Sequence, residues 1–188
     1  KGNNVAQSIV AQQPLRYGYG GINDKAYIGF DSPSDTFLSS ANSPILSDFT
    51  IFEVSKIDSI SSKVFNYEDR RVAINLGLDS LGEYSVNISD GVVDLSTKIA
   101  QNFVGNSHIA VVRKLFKSVE LQYYDSSNSL QSGITYPTFD DSTTFNQNPF
   151  KVGEYNSNVS EVIVYNRALS YAEIDEVKGY LNLKYKIY

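Results

Sequence analysis

The stretch that decides the fold is "FKVGEYNSNVSEVIVYNRALSYAEIDEVKGYLNLKYKI", residues 150–187. Its first half is rich in β-branched and aromatic residues and reads as two strands, "FKVGEY" (150–155) and "VSEVIVYN" (159–166). A turn, Arg167-Ala168-Leu169, follows. The second half is the one convincing helix in the chain. Ser170-Tyr171-Ala172-Glu173 spells a capping box: the Ser oxygen accepts from the Glu173 N–H, and the Glu carboxylate reaches back to the cap. Ile174, Val177, Leu181 and Tyr185 then recur on one helical face, which needs something to pack on.

Upstream, short strand-like runs recur between Gly, Asn, Asp and Ser turns. They are "AYIGF" (26–30), "FTIFEVSKI" (49–57), "RRVAINLGL" (70–78), "EYSVNIS" (83–89), "VVDLS" (92–96), "HIAVVRKL" (108–115) and "SVELQYYD" (118–125). "SDG" (89–91) signals a tight hairpin. The segment 126–148 is rich in Ser, Thr, Asp and Asn and reads as a long loop with one short strand near Leu130–Ile134. This pattern predicts an all-β, two-sheet antiparallel sandwich with one C-terminal helix, the only partner for the apolar helix face.

Alternation assigns the strand faces. Val72, Ile74 and Leu76 share one side, as do Tyr84, Val86 and Ile88, and Val119, Leu121 and Tyr123. The opposite sides are polar, so these three strands are expected to share one sheet with a wet outer face. "HIAVVRKL" is apolar on both sides and reads as a central strand.

The whole chain bounds the function. Its 188 residues suit a single domain spanning 1–188. A formal net charge of −5 without a basic stripe argues against nucleic-acid binding. No apolar window of about 20 residues exists, so membrane insertion is not expected, and the first residues do not read as a secretory leader. The absence of Cys removes disulfides and thiolate chemistry. The chain also has no Met, even at position 1, so it is expected to be excised from, or processed out of, a larger protein.

The order of motifs resembles concanavalin A-like, laminin-G-like jelly-roll domains. "AYIGFDSPSDTFLSS" (26–40) followed by "FTIFEVSK" (49–56) looks like their opening, "HIAVV" (108–112) like a mid-domain strand, and the 150–187 stretch like their closing strand, turn and helix. The likeness runs from about Gln13 to the end. It departs at Ser32-Pro33, where Gly is usual, and at Asp125–Asn128, where an Asn-Gly turn is usual. The resemblance implies a jelly-roll sandwich of the kind appended to secreted, cell-surface and phage virion proteins, often binding glycan. It does not imply an activity.

Laminarinase-like relatives of this fold carry Glu, apolar, Asp, apolar, apolar, Glu on a strand. "EIDE" (173–176) starts that way, but Lys178 stands where the second catalytic Glu should be, and the segment is helical. Glu173 and Asp175 then diverge by about 200° around the axis. Glu173 is read as the capping partner and no residue as catalytic. A retaining glycosidase needs two carboxyls about 5 Å apart, and no other pair has useful strand spacing. His108, the only His, opens a core strand and reads as structural.

Candidate ligand residues lie in two places. Arg71, Asn75, Asn87, Gln122 and Tyr124 would project from the expected wet face, supplying the amide, guanidinium and aromatic groups that sugar recognition uses. Tyr17 and Tyr19, in the Gly-rich loop "RYGYGG" (16–21), are the second set. Asp31 and Asp35 are the candidate Ca²⁺ ligands, with Asp140-Asp141 a further source of hard oxygens; Asx-turn stabilisation is the alternative role for each. No other cofactor is expected. Asn87-Ile88-Ser89 and Asn158-Val159-Ser160 match the glycosylation sequon, which matters only in a eukaryotic secretory setting.

The expectation is a non-catalytic adhesion or carbohydrate-binding module of an extracellular or phage virion (fibre) protein. Its partner would be a cell-surface glycan or a neighbouring structural protein, with homo-oligomerisation through upstream segments. A structural decoration domain without sugar binding, and a glycoside hydrolase or lyase with an atypical site, are the alternatives.

Overall fold

The computed structural model describes residues 5–6, 14–30, 37–40, 46–69, 72–90, 92–127, 129–135, 150–154 and 156–188. Two antiparallel sheets pack face to face. The first contains β1 (Val5–Ala6), β4 (Leu38–Ser40), β6 (Lys63–Asp69), β7 (Val72–Leu78), β8 (Glu83–Ser89), β9 (Asp94–Asn102) and β13 (Lys151–Glu154), in the order β1-β4-β13-β6-β7-β8-β9. The second contains β2 (Leu15–Tyr17), β3 (Tyr27–Phe30), β5 (Phe49–Ile57), β10 (Ser107–Leu115), β11 (Ser118–Tyr124), β12 (Ser129–Thr135) and β14 (Ser157–Tyr165), in the order β12-β11-β10-β5-β14-β3-β2. Helix α1 (Tyr171–Tyr185) closes the chain. Strands adjacent in space are often distant in sequence, as in a jelly roll, so closure depends on long-range pairing.

The expected strands all appear, and the short strand near Leu130–Ile134 is β12. β6 was not anticipated, because Asn66, Glu68 and Asp69 break its apolar pattern. β8 and β9, which the "SDG" signal separates, pair antiparallel with Ser89 opposite Asp94. The Asp90 carboxylate accepts from the N–H groups of Val92 (2.8 Å) and Val93 (2.6 Å).

The core has two compartments. Between the sheets lie Phe30, Phe49, Ile51, Phe65, Ile74, Leu76, Val86, Val112, Leu121 and Tyr123. Above the outer face of the second sheet, Phe52, Val54, Ile109 and Val111 meet Leu169, Ile174, Leu181 and Tyr185. This second layer explains why β10 is apolar on both sides: one side faces the sandwich and the other the helix.

The helix begins as its sequence predicts. Ser170 Oγ accepts from Glu173 N (3.3 Å), and Glu173 Oε2 accepts from Ser170 N (2.8 Å). Ile174 and Leu181 are fully buried, and Val177 packs at their edge. It ends at Lys186, whose backbone is left-handed (φ 50°). Asn182 Oδ1 accepts from Ile187 N (2.9 Å) and Tyr188 N (3.0 Å), which takes up donors beyond the helix end.

One expectation fails. β7 and β8 are neighbours in the first sheet, but β11 belongs to the second. A period of two tells which side of a strand is apolar; it does not say which sheet the strand joins.

Candidate functional site

The expected composite face therefore does not exist. Asn75 and Asn87 lie on the outer face of the first sheet, whereas Gln122 and Tyr124 lie on the outer face of the second, under the helix. Gln122 is only 6% exposed, and its Oε1 accepts from the Tyr124 hydroxyl at 2.8 Å. Lys178 of α1 stands over the Tyr124 ring (4.2 Å to the centroid) and donates to its hydroxyl (3.0 Å). Gln122 and Tyr124 look like a solvated β-face in sequence because the polar tips serve the helix contact. Arg71, Asp31, Asp35 and the Asp140-Asp141 pair lie outside the described residues.

What survives of the first set is a polar grid on the outer face of the first sheet. Register pairs Asn66 with Asn75, Asn75 with Asn87, and Asn87 with Ser96, so one transverse row crosses β6, β7, β8 and β9. The next row is Lys63, Gly77, Ser85 and Lys98. Gly77 makes a gap between them. Its φ is +151°, and a Cβ there would come within 2.0 Å of the Ser62 carbonyl oxygen, so only glycine fits. The register of β6 also shifts at this point, between Lys63 and Phe65.

The result is a cleft of about 230 Å³, lined chiefly by Ser62, Lys63, Asn75, Gly77, Ser85 and Asn87, with Asp79 at its end. The Asn75 amide oxygen is buried there with no hydrogen-bond partner among the described residues. Such an acceptor favours any ligand that brings a hydroxyl or N–H. Asp79 is already committed: its Oδ1 accepts from Leu81 N (2.8 Å) and Glu83 N (3.1 Å). Among the described residues, the cleft therefore holds hydroxyls, amides and one lysine, with a single carboxylate engaged in a turn.

Tyr17 and Tyr19 fall elsewhere, at the β2 end of the second sheet. Tyr17 stacks on Tyr27 with ring centroids 4.7 Å apart and planes 10° from parallel. Tyr19 is 82% exposed.

His108 is buried and occupied, as its position in a core strand suggests. Its Nε2 lies 2.8 Å from Glu53 Oε1 and 3.2 Å from Ser55 Oγ, and its Nδ1 lies 3.1 Å from the Asn106 carbonyl oxygen. Both Ser55 and Glu53 meet the same ring nitrogen, unlike a nucleophile–base–acid relay, where the two ring nitrogens divide the work. Across the sandwich, Tyr84 donates to the same Glu53 oxygen at 2.5 Å. Burial first, and the Glu53 charge second, hold the Tyr84 phenol well above its ordinary pKa. Tyr123 stacks on His108 at 4.7 Å and is likewise pushed up, mainly by burial. Glu53 was missed in sequence because "FTIFEVSKI" reads as a plain strand in which one Glu looks solvated.

"EIDE" is helical: Ile174 is buried against the second sheet, while Glu173, Asp175 and Glu176 lie on the solvent side of α1. Glu173 accepts two hydrogen bonds from Arg167 (3.0 and 2.6 Å) besides the cap, which pulls its pKa down to about 2. Asp175 pairs with Lys178 at 2.8 Å. Among the described residues, no three His, Cys, Asp or Glu cluster to hold a metal.

No family model matches the chain, and no curated protein sequence is similar to it. Solved structures share its fold. Full-length tailspike protein 2 from an Escherichia coli O157:H7 bacteriophage superposes with a TM-score of 0.64 at 12% identity over 96% of this chain. The chain spans only 27% of that tailspike's length. The exoplasmic/lumenal domain of VIP36, in a Ca²⁺/Man3GlcNAc-bound form, matches with a TM-score of 0.54 at 12% identity, over 87% of this chain and 86% of the other. A SAP-like pentraxin from Limulus polyphemus gives 0.55 at 9% identity, over 92% and 79%. The fold is thus a two-sheet β-sandwich shared with these structures, and at these identities the likeness extends to fold alone.

Proposed function

We propose that this chain is a non-catalytic carbohydrate-binding module, serving adhesion within a larger extracellular or virion-borne protein. The observation that carries the reading is the row Asn66–Asn75–Asn87–Ser96, which opens into the Gly77 cleft with an unpartnered amide oxygen. Amide and hydroxyl groups at strand spacing suit the hydroxyls of a sugar. Among the described residues, one carboxylate lines the cleft, whereas glycoside hydrolysis by the usual route needs two flanking the bond. The VIP36 neighbour, solved with Man3GlcNAc bound, supports a glycan partner, and the tailspike neighbour supports a virion setting. No helix of the described residues is long and apolar enough to cross a membrane.

A glycan array on the chain tests the class, with Asn87→Ala as the site control because Asn87 is exposed and its loss leaves the core intact. Binding that is present in the wild type and lost in Asn87→Ala supports the reading. No binding to any glycan favours a structural decoration or oligomerisation domain, and release of reducing sugar would mean an enzyme. Asp31 and Asp35 stay candidate Ca²⁺ ligands, with Asx-turn stabilisation as their alternative role. A calorimetric titration with CaCl₂ should give heat in the wild type and none in Asp31→Asn/Asp35→Asn; absence of heat in both removes the metal from the reading.

A further inference from the structure

The helix-bearing side of the molecule holds a second cavity, of about 240 Å³, unrelated to the first-sheet cleft. Its floor is a transverse row: register pairs Ser107 with Lys56, and Lys56 with Asn158, across β10, β5 and β14. These positions alternate with the core-facing set and point to the same outer side as Phe52, Val54 and Ile109. The wall is Tyr27, and the segment Gly20–Ile22 completes the lining. That segment is held in place. The Asn23 amide donates to the Lys186 carbonyl (2.9 Å) and to the Tyr185 carbonyl, which ties the turn to the end of α1. Gly21 permits the close approach, since a Cβ there would lie 2.6 Å from both Tyr27 Cδ1 and the Lys25 carbonyl oxygen.

Ser160 distinguishes this cavity from a solvated dimple. The register of β14 shifts between Val159 and Glu161, so Ser160 sits on a bulge, a device that re-aims a side chain out of the strand's alternation. Ser160 lines the cavity, and its hydroxyl is buried with no hydrogen-bond partner among the described residues. An unmet buried hydroxyl is costly unless another group completes it. The charge in the cavity is balanced: Lys56 pairs with Asp58 at 3.2 Å, and Asp58 also accepts from the Asn158 amide at 2.8 Å.

We infer that this cavity binds one neutral sugar ring, with Ser160, Ser107, Lys56 and Asn158 reading its hydroxyls and Tyr27 supplying the apolar wall. The mixture of hydroxyl, amide and ammonium groups matches a polyol, which donates and accepts at each carbon. A volume below the roughly 300–1,000 Å³ of drug-sized pockets fits a single ring and not an oligosaccharide. The balanced Lys56–Asp58 pair favours a neutral sugar over a carboxylate-bearing one. This site stands independently of the cleft proposed above, because it lies on the opposite outer face.

The test is an amide NMR titration of the 188-residue chain with methyl glycosides of glucose, galactose, mannose and N-acetylglucosamine, and with methyl glucuronide as the charged control. The expected result is that at least one neutral glycoside shifts the amides of Lys56, Ser107 and Ser160. Ser160→Ala should weaken that binding by about fivefold, equivalent to about one lost hydrogen bond. Lys56→Met, at a partly exposed position, is the second variant and should weaken it as well. Shifts confined to Asn75 and Asn87 would support the first-sheet cleft and overturn this site. Equal affinity in wild type and both variants, no shifts with any glycoside, or tighter binding of the glucuronide than of methyl glucoside would also overturn it.

Discussion

Glu173 shows how one residue can wear the dress of catalysis and do structural work. It caps the helix backbone and chelates Arg167, and those bonds hold its pKa near 2, against an ordinary value of 4.5. The folded-state pKa is depressed, so the group's contribution to stability is present above about pH 4.5 and is lost as pH falls through about 2. A carboxyl ¹³C titration should place the Glu173 midpoint near 2, and Arg167→Ala should move it upward; an ordinary midpoint in the wild type would contradict the ion pair. Glu173→Ala should leave glycan binding unchanged. Gly77 is the opposite case, a residue without chemistry that shapes a site. Gly77→Ala meets the Ser62 carbonyl and should lower stability by about 1–3 kcal/mol in denaturant unfolding, while distorting the Asn75–Asn87 cleft.

At the scale of elements, α1 is a brace for the second sheet. Leu181 is completely buried between the helix and that sheet. Leu181→Ala should cost about 2–5 kcal/mol by urea unfolding, from lost burial and the cavity left behind. Near-wild-type stability would mean the helix is only loosely docked. The same contact explains why Gln122 and Tyr124 misled. Their polar tips serve Lys178 and each other, so a strand that reads as half wet is covered on both sides. The bulge at Ser160 and the register shift at Lys63 were also invisible in sequence, since each depends on how a strand meets its partners.

At the scale of the molecule, the two sheets are joined by apolar packing, by a Thr97–Ser132 hydrogen bond (2.7 Å) and by a buried polar knot. Tyr84 reaches from the first sheet to Glu53 in the second, where His108 and Ser55 also converge. Tyr84→Phe removes a bond to a buried carboxylate and should cost about 1.5–3 kcal/mol near neutral pH. The Tyr84 pKa is raised in the folded state, chiefly by burial, so its contribution is full below the ordinary phenol range near 10 and falls as pH rises beyond it. Unfolding measured from pH 9 to 11 should therefore show stability declining above about 10, less steeply in Tyr84→Phe than in the wild type. Equal slopes would show that Tyr84 is not held neutral by the knot.

The linear chain carried the local content: strands where β-branched and aromatic residues alternate, the hairpin at Asp90, and the helix from its capping box. Each is decided by neighbours within a few residues, which a linear reading captures. It also determined that β10 is central and that "EIDE" is no strand. Folding in three dimensions set which strands share a sheet, which polar face stays open, and where clefts form. Those outcomes rest on pairings between residues far apart in the chain, such as Tyr84 with Glu53 or Lys56 with Asn158, and on the helix choosing one of two available faces. A side-chain period of two is the same for a face turned to water and for one turned to a helix whose lysine and tyrosines accept polar tips.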